Sequence, residues 1–304
     1  MNRRLFQGSA AALPTPMRGD EIDFEAFERL IDRQIAGGAG ALVVCGTTGE
    51  PASLSRRERE WLTECALRRA GGRIPVVVGA GSNDTRAAAM LARQAQDAGA
   101  DAVLSVTPYY NRTTQEGLIA HFTAVADAVD IPVILYNVPS RTGVNLLPET
   151  AARLAAHPNV CGVKEASGSA AQAAALARLC GDSLALYAGN DEMALPILAL
   201  GGQGVISVAA NICPARMAAL CARFFEGDVA GARAIQLRLD PLIAALFAEA
   251  NPIPLKAALA MLGLCGEDVR LPLVPASRET RKKLREALAE LGEDPGEARP
   301  EVTR

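Results

Sequence analysis

Apolar residues along the chain gather into short runs of strand length, separated by longer stretches with helical spacing. The runs fall at residues 8–13 (GSAAAL), 41–45 (ALVVC), 75–79 (PVVVG), 102–106 (AVLSV), 132–136 (PVILY), 160–164 (VCGVK), 184–188 (LALYA) and 204–208 (GVISV). Each is bounded by glycine, proline or a charge, as buried strands commonly are. Between them, residues 23–36, 56–69 and 85–98 read as helices, with Gly37 and Gly99 placed to close two of them in the left-handed conformation. Eight buried strands alternating with helices predict an α/β fold, a closed (β/α)8 TIM barrel, rather than an open sheet. An open doubly wound sheet would carry a GxGxxG turn after its first strand, and this chain has none. Past the eighth run, helical patterns continue at 214–226, 229–249, 253–262 and 277–291. The expected organisation is therefore a barrel over 1–226 and a C-terminal helical subdomain over 227–292. The tail 293–304, rich in Pro, Glu and Arg, has no apolar periodicity and is expected to be disordered.

Composition removes several function classes. Half of the 304 residues are hydrophobic, enough for a large core, and the formal net charge is −3 with acids and bases interspersed. No basic stripe suited to nucleic-acid phosphates is present, so no nucleic-acid partner is expected. No apolar run approaches the roughly 18 residues that span a bilayer. The N-terminal stretch is interrupted by Gly8, Pro14 and Pro16 and suits a first strand better than a signal core, so a cytoplasmic location is expected. Seven scattered cysteines with no CxxC pair read as small buried hydrophobes. The two histidines, His121 and His157, stand in no ligand spacing, and neither a metal nor a cofactor is expected.

One residue breaks the apolar pattern. Lys164 ends the sixth run, and in a barrel the strand ends point into the mouth where active sites lie. The bland reading is a solvated surface charge, since lysine is rarely fully buried without a partner. Other strand ends carry polar chemistry as well. GTTGE (46–50) offers two adjacent hydroxyls that could hold a carboxylate, or could simply cap a tight turn. TPYYN (107–111) places paired tyrosines on a loop, and YNVPSRTG (136–143) brings Tyr136 toward the mouth with Arg141 behind it. Arg141 offers a planar fork for a carboxylate, against the alternative of a surface salt bridge. A free lysine is neutral in only about one molecule in 2,500 at pH 7, whereas a desolvated one can titrate near 7 to 8 and attack carbonyls. The resulting imine is an electron sink, and tyrosine and threonine hydroxyls can move the protons where histidine is scarce. The combination points to imine-dependent aldol chemistry on an oxo acid.

At GTTGE, TPYYN, YNVPSRTG and GVKEASG (162–168) the chain resembles the dihydrodipicolinate synthase family. That family belongs to the pyruvate-dependent Schiff-base aldolases, together with N-acetylneuraminate lyase. The similarity runs from residue 8 through GGQGVISVAAN (201–211) to NPIPLKAALAMLGL (251–264). The resemblance implies 4-hydroxy-tetrahydrodipicolinate synthase activity: condensation of pyruvate with L-aspartate 4-semialdehyde in the diaminopimelate route to lysine. It implies that Lys164 forms the imine and that Tyr136 moves protons through Thr47 and Tyr110. It places the pyruvate carboxylate at Thr48 and the backbone of Ile206, with Gly189 also in the substrate site, and the semialdehyde carboxylate at Arg141. It further implies a homotetramer built as a dimer of dimers, with Tyr110 reaching into the neighbouring subunit's site. In the lysine-inhibited members a glutamate follows the asparagine matching Asn83 by four residues, where this chain has Ala87. Histidines near the start of the second helix are replaced by Arg56 and Arg59. Weak or absent inhibition by lysine is expected.

Two alternatives remain at this stage. Relatives in the superfamily cleave sialic or 2-keto-3-deoxy sugar acids with the same lysine and tyrosine, although they tend to lack the arginine. A catalytically silent binding protein could use the same scaffold, but would be expected to have lost Lys164 or Tyr136. The acids of GNDEM (189–193) read as helix-starting residues, GGQG (201–204) as a turn at the wrong barrel end, and His157 as a cap.

Overall fold

The computed structural model describes residues 4–293. The expected tail therefore lies outside the described residues, apart from Glu293. Eight parallel strands close into a barrel: β1 Gly8–Ala12, β2 Ala41–Val44, β3 Val76–Gly79, β4 Ala102–Val106, β5 Val133–Asn137, β6 Val160–Glu165, β7 Ala185–Ala188 and β8 Gly204–Ser207. β8 pairs with β1, which closes the ring. Every strand lies within a residue or so of the run that predicted it, because burial on both faces leaves an unbroken apolar signature. One difference bears on the site, at β6. It continues through Glu165, so Lys164 is the penultimate residue of its strand rather than the last.

Side chains alternate between the barrel interior and the surrounding helices. Ala10, Ala12, Ala41, Val43, Val77, Ala102, Leu104, Ile134, Tyr136, Tyr187 and Ile206 form the inner cluster, while the larger outer cluster packs the strands against the helices. Near the N-terminal end, Tyr187 stacks on Phe6 with ring centroids 4.3 Å apart and donates its hydroxyl to the Phe6 carbonyl at 2.9 Å. Burial pushes the Tyr187 phenol well above the ordinary tyrosine range, so it serves as a plug and stays protonated.

The helix ends mostly follow expectation, with one correction. Gly99 does adopt a left-handed conformation (φ +95°), but Gly37 does not; Gly38 takes that role with φ +80°. Gly37 is required for closeness instead, since a Cβ there would lie 2.5 Å from Cβ of Pro214. Beyond the helix Pro214–Phe225, three more follow: Val229–Leu246, Ile253–Met261 and Arg278–Leu291. The helix Ile253–Met261 is buried along most of its length, so it meets apolar surface on several sides. Six of the seven cysteines are buried, as small core residues. No described helix is long and apolar enough to cross a membrane.

Candidate active site

The loops after β2, β5 and β7, the ends of β5 and β6, and Val208 after β8 meet the segment Phe247–Asn251 around a cavity of about 380 Å³ at the C-terminal barrel end. Thr47, Thr48, Tyr136, Arg141, Lys164 and Gly189 all line it. Six of the eight residues expected from the sequence therefore converge on one space. Ile206 is fully buried on β8, and Tyr110 stands apart on the surface.

Lys164 is only 5% exposed. It lies opposite Tyr136 in the register of β5 and β6, and its Nζ sits 4.4 Å from the centroid of the Tyr136 ring. Among the described residues no carboxylate is within ion-pair distance of it. The adjacent Glu165, one residue along the strand and therefore on the opposite face, turns away from the cavity. It accepts from the Ser167 amide at 2.6 Å and from Asn137 Nδ2 and Gln172 Nε2 at 3.0 Å each. Asn137 in turn donates to Asn145 Oδ1 at 2.8 Å and accepts from the Leu146 amide at 2.9 Å. The inward pair, Tyr136 and Lys164, thus stands on an outward pair, Asn137 and Glu165, whose hydrogen bonds fix the two strand ends.

Each loop is held by specific contacts. After β2, residues Thr47–Gly49 form a 3-10 turn that ends on Glu50 in the left-handed region at φ +55°. Thr15 Oγ1 donates to the Gly49 carbonyl at 2.7 Å, and Asn251 Nδ2 donates to Thr48 Oγ1 at 2.9 Å. The Glu50 carboxylate accepts from the buried Lys256 ammonium and from the Arg270 amide. After β5, the turn Pro139–Thr142 carries Arg141; Thr142 Oγ1 accepts from Thr107 and anchors the turn from below. Arg141 itself is exposed and forms no ion pair among the described residues. Gly189 must be glycine for close approach: a Cβ would lie 2.6 Å from Ala166 Cβ and 3.1 Å from Lys164 Cγ.

The reading of GNDEM requires correction at Asp191. It does begin the turn Asp191–Met193 before the helix Ala194–Ala199, but it is buried rather than a solvated complement to the helix dipole. Its Oδ2 accepts from the amides of Val208 (3.0 Å) and Ala209 (2.9 Å), tying the loop after β7 to the loop after β8. Burial raises its carboxyl above the ordinary range. His157 does close the turn after the helix Pro148–Leu154, accepting from the Asn159 amide at 3.1 Å and lying 3.0 Å from Asp127. No group of three metal-ligating side chains is found among the described residues.

Tyr110 is 91% exposed, and its backbone is in the left-handed region at φ +69°. A non-glycine residue in that conformation is uncommon, and the aromatic side chain is displayed to solvent. Asn251 lines the cavity, and Lys256 holds Glu50 at the end of the turn that carries Thr47 and Thr48; the sequence singles out none of the three individually, although all lie inside quoted motifs. The available signal was a lysine inside the apolar run IPLKAALAM, the same anomaly that marked Lys164.

The model of the Dihydrodipicolinate synthetase family matches residues 5–291. The chain belongs to this family. It is 51% identical over 280 residues to the 4-hydroxy-tetrahydrodipicolinate synthase of Alkaliphilus oremlandii, covering 92% of this chain and 97% of that one. The dihydrodipicolinate synthase structure from Thermotoga maritima superposes with a TM-score of 0.94 at 45% identity, over 95% of this chain and 99% of that one. The chloride-inhibited dihydrodipicolinate synthase from Acinetobacter baumannii, solved in complex with pyruvate, gives a TM-score of 0.92 at 44% identity over 94% and 99%. Membership in the dihydrodipicolinate synthetase family accounts for the closed barrel and the helices that follow it.

Proposed function

We propose that this chain is a 4-hydroxy-tetrahydrodipicolinate synthase that joins pyruvate, held as an imine on Lys164, to L-aspartate 4-semialdehyde. The observation that carries this reading is Lys164 itself: a buried amine without a carboxylate partner among the described residues, over the Tyr136 ring, in a cavity that also holds Thr48 and Arg141. An ion-paired lysine would be held protonated and could not attack a carbonyl.

The Lys164 amine attacks the pyruvate keto carbon, and the keto oxygen leaves as water. Thr48 and the backbone at Ile206 hold the pyruvate carboxylate, next to Gly189. Loss of a methyl proton gives an enamine, whose carbon bonds to the aldehyde carbon of the second substrate as the aldehyde oxygen takes a proton. Tyr136 moves these protons, with Thr47 and a partner subunit's Tyr110 extending the relay. Arg141 holds the semialdehyde carboxylate. The semialdehyde's own amine then attacks the imine carbon, closes the ring and releases Lys164. The relay requires a second copy of the chain, and the exposure of Tyr110 supports a homo-oligomer, a tetramer formed from two dimers, working in the cytoplasm. The barrel would occupy 1–226 and the helical subdomain 227–292.

The test is borohydride reduction in the presence of pyruvate, followed by mass mapping, with a coupled assay comparing aspartate semialdehyde against sugar-acid aldehydes. A stable adduct on Lys164 and turnover of the semialdehyde alone are expected; turnover of sugar partners only overturns the reading. Arg141→Ala should raise KM for the semialdehyde about 10- to 100-fold while leaving that for pyruvate nearly unchanged, since a charge-assisted bidentate bond is lost. Inhibition by lysine should be weak. Arg59 donates to the Gly79 carbonyl at 2.6 Å and Arg56 pairs with Glu60 at 2.9 Å, so two cations stand where lysine-inhibited members have histidines, and Ala87 supplies no carboxylate for an ammonium. Strong inhibition by sub-millimolar lysine in an activity titration would contradict this.

A further inference from the structure

Asn251 is 6% exposed, lines the cavity and donates from Nδ2 to Thr48 Oγ1 at 2.9 Å. Its Oδ1 is buried with no hydrogen-bond partner among the described residues. Leaving a buried amide oxygen unsatisfied is costly, so the side chain is kept for what its nitrogen does. A threonine hydroxyl carries one proton and two acceptor sites. With one acceptor site filled by Asn251, the Thr48 proton must be directed elsewhere, and a carboxylate in the cavity can only accept it. Glu50, two residues farther along the same loop, is held by Lys256, five residues beyond Asn251. The loop and the C-terminal segment are thus joined at two points, which fixes the direction from which Asn251 approaches.

We propose that Asn251 is a positioning residue for pyruvate, which commits the Thr48 hydroxyl proton to the substrate carboxylate by donating to Thr48 Oγ1. This rests on the reading that the pyruvate carboxylate binds at Thr48. Asn251 acts through Thr48, and its contribution is the polarity of one hydrogen bond. A side chain of the same shape that accepts in place of donating should therefore be worse than no side chain.

The experiment is steady-state kinetics of Asn251→Ala, Asn251→Asp, Thr48→Val and Thr48→Val/Asn251→Ala with both substrates varied. Asn251→Ala frees the hydroxyl to rotate and should raise the pyruvate KM about tenfold. Asn251→Asp captures the Thr48 proton and faces the substrate anion, so its pyruvate KM should rise further, on the order of a hundredfold. The semialdehyde KM should stay within about twofold, and Asn251→Ala should add less than about twofold in the Thr48→Val background. An aspartate no worse than alanine, an equal rise in both KM values, or additive effects in the cycle overturns the inference. Should Asn251→Ala fail to fold, the near-isosteric aspartate against the wild type decides the question. Borohydride trapping on the wild type separates the two levels: no pyruvate adduct overturns both readings, whereas an adduct with an unchanged Asn251→Asp KM overturns this one alone.

Discussion

Lys164→Met is expected to lower kcat by on the order of 10⁴-fold, about 5 kcal/mol of barrier, while the protein melts at the wild-type temperature or slightly above it. The two halves of this expectation have separate causes. Catalysis collapses because no other group in the cavity offers an amine: among the residues that line it, the remaining cation is Arg141, whose delocalised guanidinium is no nucleophile. Stability is spared because Lys164 has no ion pair to lose among the described residues. A thioether of similar length fills the space beside Tyr136 and Gly189 without burying a group that prefers water. Such a variant should also give no pyruvate adduct after borohydride reduction. Near-normal turnover, or an adduct at another lysine, would refute the role assigned to this residue.

The chain has only four lysines among its 31 basic residues. Lys282 and Lys283 lie exposed on the last helix in i,i+4 pairs with glutamates, the solvated role that arginine fills elsewhere in this protein. The other two, Lys164 and Lys256, both interrupt apolar runs and are both buried. Sequence position alone distinguished Lys164, since a strand end in a barrel points to the mouth. Lys256 sits in a helical run, where no comparable rule says which way it faces or what pairs with it. Its partner Glu50 is 206 positions away, and such a pairing is written only in the folded chain.

Other parts of the site differ in the same way in how far the sequence displays them. Strand positions follow from apolar runs, because buried parallel strands show their burial directly in composition. Tyr136, Lys164 and Arg141 follow from polar residues placed at the ends of those runs. Asp191 was misread because its neighbours resemble an ordinary helix start; only the approach of the loop after β8 gives its carboxylate two amides to hold. Gly37 was assigned to the wrong property for a related reason. Two adjacent glycines allow either to take the left-handed position, and the contact with Pro214 that decides between them is 177 residues distant. Asn251 carries no local signal at all, since an asparagine before a proline reads as a turn.

Lys256→Met should be the most destabilising of the substitutions considered, costing about 3–5 kcal/mol, because it leaves the buried Glu50 carboxylate without its cation. Lys256 is 0% exposed, and its ammonium donates to Glu50 Oε1 and to the Asp268 carbonyl. Burial pushes its pKa below the ordinary lysine value while the Glu50 carboxylate opposes that shift, so the attraction of the pair works against desolvation. Removing one member abolishes the attraction and retains the other's desolvation. In a chain of this size the melting temperature should fall by about 6–15 °C. Glu50→Gln should fall in the same direction, and Lys256→Met/Glu50→Gln should cost less than the sum of its parts by about 1–3 kcal/mol. The damage should reach the chemistry as well, since Glu50 closes the turn that carries Thr47 and Thr48. Pyruvate KM should therefore rise in Lys256→Met even at temperatures where the variant remains folded, whereas Lys164→Met leaves the turn intact. Thermal unfolding followed by circular dichroism, with kinetics measured well below the transition, checks both effects. A melting temperature within about 2 °C of the wild type would show that solvent or another cation replaces Lys256, and that the C-terminal helices do not hold this loop in place.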